Sequence, residues 1–188
     1  MNRQFRYLIL AILFAALSLG SAPALSQDEG LYAGFNFGQS KVKDFCNGFV
    51  SCDDKDTALS VFGGYQVNRN LGVEVGYTDL GQASISGPGG NLRFEATGFE
   101  FSGVGTIPLT QHFSVYGKLG LFLWDADARG TVLGFPFSGS DDGTDLTFAF
   151  GARFNFTKNL AGQLQWQRYQ DVADFDVDVI GLGLLFRF

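Results

Sequence analysis

Histidine occurs once in this chain, at His112, and cysteine twice, at Cys46 and Cys52. A metal site built on the two thiols would need further ligands, and the one imidazole lies far along the chain, so no metal centre is expected. Long apolar runs are also missing. Beyond residue 26 no segment approaches 18 consecutive apolar residues, which excludes a helical membrane protein. Positive charge is scarce: 13 Lys and Arg stand against 19 Asp and Glu, a formal net charge of −6, which argues against nucleic acid as a partner.

What is present begins at the N-terminus. Arg3 and Arg6 precede an apolar run over residues 7–17, followed by small residues around 21–26. This pattern predicts a secretory signal peptide over residues 1–26, cleaved after Ser26, with a second candidate site after Ala24. The run is too short for a comfortable membrane-spanning helix. Its removal takes two basic residues and no acidic ones, leaving 11 Lys and Arg against the same 19 acidic residues in one domain, 27–188. In an exported chain, the closely spaced Cys46 and Cys52 read as a disulfide.

Residues 27–188 alternate between apolar and small or polar side chains with unusual regularity. The alternation predicts eight strands, at about 31–40, 57–67, 71–80, 93–107, 113–125, 146–156, 160–170 and 176–188. Residues 146–156 give the cleanest case, with Leu146, Phe148, Phe150, Phe154 and Phe156 opposite Thr147, Gly151, Arg153 and Asn155. In the fourth strand Phe94 and Ala96 break parity with Phe99 and Phe101, so a bulge near 96–98, or an upper part leaving the membrane, is expected. The connections alternate between short turns (68–70, 108–112, 157–159) and longer polar segments (41–56, 81–91, 125–143, and a short acidic one before the last strand).

This asymmetry suits an all-β, eight-stranded antiparallel up-and-down transmembrane barrel with short turns and both termini in the periplasm. A soluble barrel of lipocalin type alternates equally well but carries its apolar face inside. Here the polar face is rich in glycine and carries Glu74, Glu100, Lys118 and Arg153, which fit a narrow lumen, whereas the bulky face fits lipid. Outer-membrane lipid and lipopolysaccharide are the partners this implies. By parity Glu74, Lys118 and Arg153 are expected to point inward and meet near mid-barrel.

No catalytic residues emerge. A lipid-modifying barrel would need a serine and a histidine near the outer surface, and His112 falls in a short turn. The aspartates of the longer loops lack EF-hand spacing, and Gly87-Pro88-Gly89-Gly90 precedes no helix that could bind phosphate, so no metal and no cofactor are expected.

The final strand has one wholly apolar face, Ile180, Leu182, Leu184, Phe186 and Phe188, and needs a pairing partner that a closed barrel supplies. Its ending, with Gly183, Phe186 and Phe188, resembles the C-terminal signal by which outer-membrane barrels are recognised by their assembly machinery. Phe62-Gly63-Gly64-Tyr65-Gln66-Val67-Asn68 and Gly72-Val73-Glu74-Val75-Gly76-Tyr77-Thr78-Asp79-Leu80-Gly81 resemble a hairpin of the OmpA-like transmembrane domain. Pro108-Leu109-Thr110, Tyr116-Gly117-Lys118-Leu119-Gly120 and Trp124-Asp125-Ala126-Asp127 resemble the next. The resemblance implies a monomeric outer-membrane barrel with a structural, adhesive or weak porin-like role. Many relatives carry a periplasmic peptidoglycan-binding domain after the barrel; with the sequence ending at Phe188, tethering by that route is not expected. The resemblance also implies a charged lumen network, with Glu74 and Lys118 on network positions and Val104, Arg153 and Gln163 departing from the family's residue types. The leading expectation is a structural barrel; a small-solute pore and a loop-mediated adhesin are the alternatives.

Overall fold

A computed structural model describes residues 29–43, 52–53, 55–87, 90–132 and 135–188. The segment read as a signal peptide and Cys46 lie outside these residues. The architecture consists of eight long strands: β1 Gly30–Val42, β2 Lys55–Gln66, β3 Leu71–Gly87, β4 Gly90–Pro108, β5 Phe113–Val132, β6 Phe135–Asn155, β7 Leu160–Val172 and β8 Phe175–Arg187. Each strand pairs antiparallel with its neighbours in sequence, and β1 pairs with β8 from Tyr32↔Arg187 to Val42↔Val177. The ladder is therefore closed, and every spanning strand has partners on both sides where it crosses the apolar band.

Parity sets the two faces. Leu119, Phe150 and Ile180 are more than 60% exposed, while Lys118, Ala149 and Arg153, on the other parity of β5 and β6, are 5% exposed or less. The bulky residues form the outer wall and the small and charged ones fill the inside. Aromatic rings cluster on that wall toward the short turns, where Phe154 packs edge-on against Phe156 and Phe186 against Phe188. Such rings suit the boundary between hydrocarbon and headgroups.

Three tight turns share one design. Asn68 Oδ1, Thr110 Oγ1 and Thr157 Oγ1 each accept hydrogen bonds from the backbone N–H groups two and three residues on, at 2.9–3.2 Å. Side-chain oxygens at these positions satisfy donors that the reversal would otherwise strand.

The opposite end differs from the sequence-based expectation. Segments 81–91 and 125–143 were expected as loops, but β3 and β4 stay paired to Gly87↔Gly90, and β5 and β6 to Val132↔Phe135. These strands project as long hairpins. The irregularity expected at 96–98 sits in the partner strand: register shifts between Asp79 and Gln82, so that Leu80 and Gly81 both face Ala96, and Gly81 takes a φ of +78°. A glycine carries this left-handed residue of the bulge without a Cβ clash. β4 itself keeps its parity, and Phe94 and Ala96 point inward because the interior there is apolar. Val42, Leu80, Ala96, Phe122, Trp124, Tyr169, Val172 and Val177 form a buried cluster, with Leu92, Phe94 and Phe175 packed against it. The hairpin end is filled like a soluble barrel, above a middle layer that is polar.

Candidate functional site in the barrel lumen

Alternation on each strand sends one short series of side chains inward, and the register fixes their height. Glu74 of β3 and Lys118 of β5 are in direct contact across the lumen, through Oε1 and Nζ, and both are buried. The Tyr32 hydroxyl of β1 donates to the other Glu74 oxygen at 3.2 Å. Lys118 Nζ also lies 4.9 Å from the centre of the Phe62 ring. With both partners buried, neither charge faces the low-dielectric interior alone.

Arg153 of β6 lies apart from this pair. It sits in register with Ser114 and Gln163, donates through Nη2 to Gln163 Oε1 at 3.2 Å, and stacks 4.7 Å from the Tyr116 ring. Among the described residues no carboxylate forms an ion pair with it. Parity places Arg153 inside, as expected, but the register sets it toward the turn end, so the expected meeting of three charges reduces to a pair and a separate cation.

Glu100 lies toward the hairpin end, level with Phe122. Its Oε2 accepts from Gln167 Nε2 at 2.7 Å and from the Tyr169 hydroxyl at 3.4 Å. Three β7 glutamines line up between Arg153 and Glu100. Gln163 Nε2 donates to Asn36 at 2.6 Å, the Tyr116 hydroxyl donates to Gln165 at 2.9 Å, Gln165 donates to Gln167 at 2.5 Å, and Gln167 also donates to Thr147 at 2.9 Å. Sequence reasoning singled out Gln163, as a network position that departs from the family's residue type, and gave Gln165 and Gln167 no role. Their spacing of two along one strand was the available signal.

The lumen is occluded along this layer. A cavity of about 20 Å³ remains among Asn36, Thr78, Gln167 and Tyr169, while a wide vestibule of about 890 Å³ opens at the turn end. Above the polar layer the apolar cluster closes the barrel, with Phe122 and Tyr169 ring centres 4.5 Å apart and Trp124 Nε1 donating to Asp145 at 2.7 Å. Among the described residues no group of three or more His, Cys, Asp or Glu is placed to hold a metal ion. His112 is exposed in its turn, near Phe154.

Two further sets of sequence-singled residues lie outside the lumen. Gly183 of β8 faces Asn36 and Gln163 of the two neighbouring strands, while Phe186 and Phe188 are exposed on the outer wall. Cys52 and Asp53 form a short ladder with Ile85 and Ser84 of β3, which places this end of the first long connection beside the projecting hairpin.

A family model of the OmpA-like transmembrane domain matches residues 26–188. The chain belongs to this family. Relatives include outer membrane protein A of Klebsiella pneumoniae, 31% identical over 93% of the chain and 54% of the relative. That of Yersinia pseudotuberculosis is 32% identical over 89% of the chain and 51% of the relative. The chain thus spans about half the length of the curated relatives it matches. Among solved structures, Ail of Yersinia pestis superposes with a TM-score of 0.60 at 22% identity, covering 85% of this chain and 99% of Ail. Neisserial surface protein A gives a TM-score of 0.60 at 16% identity, over 85% and 97% of the two chains. At these identities the likeness concerns the fold. The OmpA-like chain is an eight-stranded outer-membrane barrel, with a lumen closed in two chemically different layers.

Proposed function

We propose that this barrel is a structural element of the outer membrane, contributing to envelope integrity and, through its hairpin end, to surface contacts, with no catalysis of its own. The observation that supports this most directly is the double closure of the lumen. The Glu74–Lys118 pair and the glutamine row fill the middle, and the Phe122–Tyr169 cluster fills the hairpin end. The alternative, a narrow solute pore, would require both layers to part, and parting the first would leave buried charges uncompensated. Refolded protein in a planar bilayer is expected to give no stable openings. Discrete, ion-selective openings would replace the structural reading with the pore.

The same reading orients the molecule with the short turns, the start of β1 and the end of β8 on the periplasmic side, and the hairpins outside. Its outer wall meets lipid and lipopolysaccharide. Gly183, Phe186 and Phe188 serve recognition by the barrel-assembly machinery, and the barrel works as a monomer. Cys46 and Cys52 form a disulfide that restrains the first external loop.

A contact role has its own support. Among the described residues, β6 pairs with β7 only from Thr147 to Asn155, so its outer part, from Phe135 to Leu146, pairs with β5 alone and presents a free strand edge. Asp141 and Asp142 are exposed along this stretch. Ail has been crystallised with a heparin analogue, a polyanion; the acidic hairpins here favour a cationic partner instead.

A further inference from the structure

The vestibule at the turn end is basic in a chain that is acidic as a whole. Its lining includes Arg69, Arg153, Lys158 and Arg187, against one acidic side chain, that of Glu29. Arg69 and Lys158 each occupy the position after the capping residue, Asn68 or Thr157, in a tight turn, so the turn design itself places cations around the rim. The floor holds the two guanidiniums, of Arg153 and Arg187.

Among the described residues neither forms an ion pair. Arg153 is 2% exposed, makes one hydrogen bond to Gln163, and leaves Nε without a partner. Among the described residues the Arg187 side chain makes one hydrogen bond, from Nη1 to Asn155 Oδ1 at 3.0 Å. A guanidinium carries five N–H donors in a planar fork that matches phosphate oxygens. Two such forks in a concave space with low-dielectric walls concentrate positive potential there. Glu74, a lumen carboxylate, is already engaged by Lys118 and Tyr32.

We propose that this vestibule is a binding site for a small, soluble, multiply charged phosphate anion, held by Arg153 and Arg187 on its floor and attracted by Arg69 and Lys158 at its rim. A membrane lipid is not the ligand, because the cavity lies inside the barrel wall whose outer face alone meets acyl chains. The proposal is independent of conductance, since a closed barrel binds in its vestibule as well as an open one.

The test is calorimetric titration of inorganic pyrophosphate into the full chain, refolded in a non-ionic maltoside detergent, at 20 and 150 mM NaCl. One-to-one binding that persists at the higher salt is expected, since close contacts are screened less than diffuse attraction. Arg187→Gln, on an open part of the floor, should weaken it at least tenfold; Arg153→Gln should do the same, provided its circular dichroism matches the parent. Arg129→Gln, on the hairpin at the other end, should bind like the parent. No saturable binding at millimolar pyrophosphate would overturn the proposal and leave a water-filled vestibule. Unchanged binding in Arg187→Gln, or an equal loss in Arg129→Gln, would overturn it as well.

Discussion

Tyr116 lies directly across the β5–β6 ladder from Gly151, and its ring occupies the space that a side chain at 151 would fill. Tyr32 and Gly64 repeat the arrangement on β1 and β2. In both cases the missing Cβ lets a phenol lie along the inner wall and carry its hydroxyl to Gln165 or Glu74. A Cβ at Gly151 would sit 2.5 Å from Tyr116 Cζ and from the Leu164 carbonyl oxygen. Gly151→Ala should therefore destabilise the barrel by about 1–3 kcal/mol, the usual range for overpacking. Gly105→Ala, where nothing lies within 4 Å, is the control. Equal urea midpoints for the two variants in lipid vesicles would contradict the account.

The Glu74–Lys118 pair gives the second prediction. Glu74→Gln leaves a buried ammonium without its carboxylate and should cost about 3–5 kcal/mol, whereas Glu74→Gln with Lys118→Met should recover most of that loss. Adding Arg153→Gln should change little further in stability, because Arg153 has no ion pair among the described residues. Unfolding midpoints of the single, double and triple variants decide the matter. A double variant as unstable as the single would show that the pair is not an isolated unit.

Replacing both Cys46 and Cys52 with Ser should leave barrel stability within about 1 kcal/mol. The loop they close is small, and the closed ladder holds the fold. Intact mass under non-reducing conditions should show the loss of two hydrogens relative to the reduced chain; two free thiols would end the assignment.

Changing Phe186 and Phe188 to Ser should lower outer-membrane levels in cells severalfold while altering refolding in detergent only slightly. Both side chains lie on the outer wall, away from the lumen contacts. Parallel losses in cells and in detergent would mean that the residues act through stability, not recognition.

The fold was legible because strand parity is a local property: Leu119 against Lys118, or Phe154 against Arg153, can be assigned from two neighbouring residues. Height around a barrel is not local. It depends on tilt and register, which is why Arg153 could be placed inside but not beside its true neighbours, Gln163 and Tyr116. The hairpins of β3–β4 and β5–β6 were missed for another reason. Their Gly, Ser and Asp content is poor strand material, and the strands persist there because each has a ladder partner and an inward apolar cluster around Phe122 and Trp124. Phe94 and Ala96, out of step with Phe99, were the trace of that cluster in the sequence.

Along β5 the outward residues change from Leu121 and Leu123 to Asp125 and Asp127, while the inward ones change from Lys118 to Phe122 and Trp124. The two gradients run in opposite senses and cross within a few residues. Such a crossing works like the waterline of a hull. Sinking the barrel would carry Asp125 and Asp127 into hydrocarbon, where a charge on the lipid face is penalised increasingly with depth; raising it would lift Leu121 and Leu123 into water. The inner apolar cluster starts at the line, where Phe122 and Trp124 flank Leu123, and continues into the hairpins, which thus have packing of their own, and the depth of immersion is written into a single strand.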